Sequence, residues 1–96
     1  MSIKRVTATE IAYAMRDDRF FSDYGQSTLL VDGTISSLTQ GSNVIAFKAD
    51  SAFQVLCDLA SPHPSLHTGS QITVTAEGSV AERQPSAVLL HGCVIP

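Results

Sequence analysis

The stretch "CDLASPHPSLHTG", residues 57–69, sets Cys57, His63 and His67 within eleven positions, with Asp58 beside the thiol. These are zinc-ligand types, and a metal there would act structurally or as a Lewis acid. Tetrahedral zinc sites usually repeat a close pair of ligands, whereas this stretch holds one cysteine and two histidines in a proline-rich segment. His63 lies between Pro62 and Pro64, which restrict how its backbone turns toward Cys57. We therefore read a connection between strands, with no metal and no cofactor. Cys57 and Cys93 form a second pair, either buried thiols or a disulfide, and an oxidising compartment favours the disulfide. His91 sits two residues from Cys93, but a reactive thiol needs a base in a recognisable setting, and none is apparent. The carboxylates Asp17, Asp18 and Asp50 read as solvated charges. Ser22, Ser27 and Ser36 lack a nucleophile motif, so the expectation is a protein that is not an enzyme.

Binding chemistry remains. Single strands of DNA or RNA need aromatic platforms for the bases and cations for the phosphates. The 96 residues have six Lys and Arg against nine Asp and Glu, a net charge of −3. The best candidates for a ligand face are Lys48 with Phe47 and Phe53, then Arg16 and Arg19 near Phe20, Phe21 and Tyr24. The opposing expectation is that Phe47 and Phe53 fill a core and that Phe20 and Phe21 anchor a helix. The acidic balance lowers the prior for nucleic acid and raises that for a protein partner.

The elements that would position these residues are legible from period and breaks. "TATEIAYAMRDDRFF" opens with Thr7 three residues before Glu10, a capping-box pattern, and Ala8, Ile11, Ala12, Met15 and Arg19 follow at helical offsets. One helix over residues 7–21 is expected. "TLLVDGTISSL" then reads as a strand curved at Gly33, "NVIAFKAD" as a second, and "SAFQVLCDLA" as a third. "SQITVTAEGSVAE" alternates Ile72, Val74, Ala76, Gly78 and Val80 against Thr73, Thr75, Glu77 and Ser79. "AVLLHGCVI" places Val88, Leu90 and Val94 on one face and Leu89, Cys93 and Ile95 on the other, a strand covered on both sides. Five strands with a break after the third close best as a small barrel, because closure removes open edges.

From Tyr24 onward this order resembles the tRNA-anticodon-like OB-fold family of small bacterial proteins. The resemblance rests on Gly33 in strand one, Cys57 in strand three, the run Gly69, Ile72, Val74 and Gly78 in strand four, and Cys93 in the last strand. It implies a mainly β, five-stranded Greek-key OB-fold barrel with a short N-terminal α-helix. Residues 1–96 form one domain, with the helix over 7–21 and the barrel over 27–96. The expected function is a non-catalytic binding module that engages a protein partner or its own copy, through a strand edge or the face bearing Thr73 and Thr75. Single-stranded DNA or RNA binding is the alternative. No stretch is long and apolar enough to span a membrane as a helix, and the expected location is cytoplasmic, or periplasmic if a leader is removed from the chain.

Overall fold

Thr7 joins the first two elements of the computed structural model, which describes residues 2–38, 43–49, 53–61 and 66–96. It ends strand β1 (Ser2–Thr7) and caps helix α1 (Ala8–Arg16). The capping box read from sequence forms: Thr7 Oγ1 accepts from the Glu10 amide at 3.1 Å, and the Glu10 carboxylate accepts from the Thr7 amide at 3.0 Å. Ala8, Ile11, Ala12, Ala14 and Met15 are buried along one side of α1. The helix stops at Arg16, short of the expected residue 21. Two carboxylates follow, Asp17 as C-cap and Asp18 at φ 61°, a left-handed conformation that aspartate tolerates better than most side chains. Negative charge is also unfavourable at a helix C-terminus, so the chain turns there. A second helix, α2 (Phe20–Tyr24), then buries Phe20. Arg83 holds the break from across the molecule, donating to the Met15 carbonyl at 2.8 Å and the Asp18 carboxylate at 3.0 Å.

Strand β2 (Ser27–Leu38) is the longest. Its first half lies between β1, in parallel, and β5 (Gln71–Glu77), antiparallel, while its second half pairs with β3 (Val44–Phe47). The pairing slips between Ile35 and Ser37, two residues beyond the expected bend at Gly33. β3 pairs antiparallel with β4 (Gln54–Leu59), and β4 pairs in parallel with β7 (Ala87–Cys93). Backbone bonds between Thr75 and Val94, of 2.7 and 3.0 Å, join the end of β7 to β5. The ring β2-β3-β4-β7-β5 is a five-stranded Greek-key OB-fold barrel with a short helical segment at its N-terminal side. Strands β1 and β6 (Glu82–Gln84) extend its edges beyond the five expected.

Leu29, Val31, Phe47, Val55, Val74 and Val88 fill the interior, each contributing about 1.5–3 kcal/mol by burial. α1 packs against β2, β4 and β7. Two features of the last strands differ from the sequence expectation. β5 ends at Glu77 because the chain enters a 3₁₀ turn, Gly78–Val80, in which a Cβ on Gly78 would stand 1.9 Å from the Tyr24 carbonyl oxygen. In β7, Cys57 faces Leu90 while Leu59 faces Cys93, so β7 holds one residue more than β4 over that span. Gly92, at φ 64°, absorbs the extra residue. Cys93 consequently turns to the core beside Leu90, whereas Val94 is half exposed.

Candidate binding faces

Phe47 pairs with Ile35 and Val55 on the inner side of the barrel and is only 2% exposed. It belongs to the core, not to the ligand face, and alternation leaves Lys48 outside. The outer surface of these strands is built from the remaining pairs. Ser37, Ala46, Leu56, Leu89 and Glu82 form one row across β2, β3, β4, β7 and β6, and Val44 lies opposite Asp58 beside it. Aliphatic side chains occupy the middle of this surface, and no aromatic ring stands in the row. Phe53, just before β4, is partly buried against the core, with the Arg83 guanidinium 5.7 Å from its ring centroid. Phe20 is buried, as expected of a helix anchor, while Phe21 remains half exposed at the barrel's helical side.

The cations are mostly spoken for. Arg16 bonds to Asp17 at 3.0 Å and stacks over Tyr13, and this hydrogen bond holds the Asp17 carboxyl below its usual range. Arg19 pairs with Asp23 at 3.3 Å and Asp17 at 3.7 Å. Arg5 makes a two-point contact with Asp32 at 2.8 and 3.0 Å, and Lys4 donates to the Asp23 carbonyl at 2.9 Å. Such exposed pairs contribute little stability, because water and salt screen them. Their effect on recognition is larger, since they place carboxylates where a phosphate would need to come. Lys48 is exposed and has no side-chain partner among the described residues.

The opposite side of the barrel, across β1, β2 and β5, carries the threonines. Thr73 Oγ1 donates to Asp32, Thr28 to Glu77 at 2.8 Å, and Thr75 to the Val94 carbonyl at 3.3 Å. Asp32, Gly33, Thr34, Gln71, Ile72 and Thr73 line a shallow, open cleft of about 480 Å³ here. The Thr73 hydroxyl, and then Arg5, hold the Asp32 carboxyl below its usual range. A carboxyl depressed on folding stabilises the fold above its unfolded pKa of about 4, and that contribution disappears as pH falls through the lower folded value. Acid titration of unfolding should therefore show a shallower loss of stability in Asp32→Asn than in the parent protein. Equal slopes for the two below about pH 4 would remove this role from Asp32. The Arg5–Asp32–Thr73 cluster was not marked in sequence. Its signal is the outward position of Asp32 in the alternation of "LLVDGT", but its partners lie on two other strands.

Cys57 and Cys93 are joined as a disulfide across the parallel β4–β7 pair, with both residues buried. Of the two alternatives this arrangement is the bridged one, and in it the Cys57 sulfur is engaged by Cys93. His67 is exposed, while His63 and Asp50 lie outside the described residues. Among the described residues, no group of three His, Cys, Asp or Glu side chains is placed to hold a metal ion. His91 stays outside, 3.6 Å from Glu82, because the extra residue at Gly92 separates its direction from that of Cys93.

Ring order, the long bent first strand and the parallel closing pair define an OB-fold. No protein-family model and no curated protein matches the chain. Among solved structures it is similar to the telomere capping protein Ten1 from Saccharomyces pombe, at 15% identity and a TM-score of 0.55, over 96% of this chain and 79% of that one. At that identity the likeness is one of fold. It supports the OB-fold and does not single out the tRNA-anticodon-like bacterial family.

Proposed function

We propose that this OB-fold is a non-catalytic module that binds a protein partner. The observation that carries the reading is the outer row of β3, β4 and β7, where the half-buried Leu56 and Leu89 stand beside a buried Ala46, aliphatic where a single-strand binder would present rings. The paired state of Arg16, Arg19 and Arg83 supports it further, because a phosphate backbone would meet their carboxylates. The resemblance to small bacterial OB-fold proteins is compatible with such a role. The buried disulfide supports an oxidising location such as the periplasm over the cytoplasm.

Single-stranded DNA or RNA binding is the second reading, favoured by the fold likeness to a telomere capping protein and by the exposed Lys48. Fluorescence anisotropy of labelled oligo-dT and oligo-U at low and moderate salt separates the two. The expected result is no salt-sensitive binding up to about 100 µM protein, a range in which non-specific binders respond. Binding that falls steeply with salt and weakens in Lys48→Ala would overturn the protein-partner reading.

A further inference from the structure

Strand β1 pairs with β2 and with no other described strand. Beyond that ladder, the backbone of residues 2–6 makes no bond to the backbone of any other described residue. Five of its six residues are exposed, and Ile3, at 67%, is the most exposed large apolar residue described. An open edge of this kind is a template for another strand. Its side chains determine which strand fits.

A second copy fits poorly. An antiparallel β1–β1 pair must keep the inner and outer faces of the sheet matched, and two such registers align five residues of Ser2–Thr7. One sets Lys4 against Lys4 and the other sets Arg5 against Arg5. A parallel pair in register opposes both at once. Like charges directly opposite one another are destabilising. The edge is therefore built against self-pairing, although the chain as a whole is acidic.

Opposite charges reverse the argument. Arg5 binds Asp32 through Nε and Nη2, and its side chain is still 67% exposed. Lys4 uses one ammonium donor on the Asp23 carbonyl and is also exposed. We propose that β1 accepts an extended acidic segment of another protein as an added strand, with carboxylates opposite Lys4 and Arg5 and an aliphatic side chain beside Ile3. Main-chain bonds along the edge supply affinity, and the two cations select the segment. This rests on the protein-binding reading above and names the partner's chemistry.

The probe is the peptide acetyl-Thr-Val-Glu-Glu-Val-Thr-amide, which reads the same in both strand directions, with a control carrying lysines in place of the glutamates. Amide shifts of isotopically labelled protein are followed up to about 5 mM peptide, a range that detects millimolar affinity. The expected result is shifts confined to residues 2–7 and their β2 partners 27–32. The acidic peptide should bind about tenfold more tightly than the basic one, and the Lys4→Gln, Arg5→Gln double variant should lose that preference. Equal shifts from both peptides, or none on β1, would overturn the proposal, as would protein-only dimerisation mapped to residues 2–7. Shifts on β3, β4 and β7 would also overturn it while keeping the protein-binding reading, which the oligonucleotide experiment tests separately.

Discussion

Reducing the Cys57–Cys93 bridge should lower the unfolding free energy by about 3–4 kcal/mol, as expected for a closed loop of intermediate length. The bridge joins positions separated by 36 residues, and the enclosed chain includes β5, β6 and most of β7. It also crosses a parallel pair, whose partners cannot be brought together by a short hairpin. Without it, the unfolded chain regains conformations that the bridge forbids. For a small domain, stable by about 5–15 kcal/mol in all, that is a large share. Urea unfolding of the oxidised protein, the reduced protein and Cys57→Ala/Cys93→Ala measures it. The reduced protein isolates the bridge because its side chains still fill the core, whereas the double variant adds the loss of two buried sulfurs. A reduced protein within about 1 kcal/mol of the oxidised one would show that the bridge constrains little that folding does not already fix.

The same geometry makes a kinetic statement. Both cysteines are at most 1% exposed, so a reductant must wait for the barrel to open around them. Neither sulfur lies on the outer row or on β1. Any loss of partner binding after reduction should therefore follow the loss of structure, and the two can be timed separately by spectroscopy and binding.

Local signals account for what the sequence disclosed. The capping box at Thr7 and Glu10 needs only four residues and formed as read. The alternations of "NVIAF", "QVLCDL" and "QITVTAE" needed only a buried face, and Ile45, Val55 and Val74 occupy it. β1 escaped notice because "SIKRVT" buries Val6 alone and carries two adjacent cations, as an edge strand does. The helix break escaped because an apolar stripe continues in phase through Met15, while the interruption comes from backbone reversal at Asp18 and from Arg83, which lies 65 residues away. The same limit applies to the binding faces. Alternation separated Phe47 from Lys48, but the carboxylates that occupy Arg5 and Arg83 come from tertiary placement, whereas those on Arg16 and Arg19 are sequence neighbours. Cys93 shows how one residue can invert an expectation: the extra position at Gly92 exchanged the faces of everything after it.

Gly33 offers the sharpest test of close packing inside the barrel. A Cβ placed on it would stand 2.5 Å from Cδ1 of Phe47 and 3.0 Å from Cγ, so the ring itself would have to move. That ring is in the core, where little space is free. Gly33→Ala would gain up to about 1 kcal/mol by restricting the unfolded chain, but overpacking costs about 1–3 kcal/mol. The net expectation is a loss of roughly 1–2 kcal/mol. If the collision is the cause, removing the ring should remove the penalty. Gly33→Ala made in a Phe47→Leu background should then be neutral or stabilising, giving a coupling of at least about 1 kcal/mol in a double-mutant cycle. Equal costs in the two backgrounds would show instead that the glycine is required by the backbone of β2 itself. Such coupling would tie the strand's glycine to the one aromatic ring that it accommodates, and would explain why Phe47 belongs to the barrel's closure and not to its ligand.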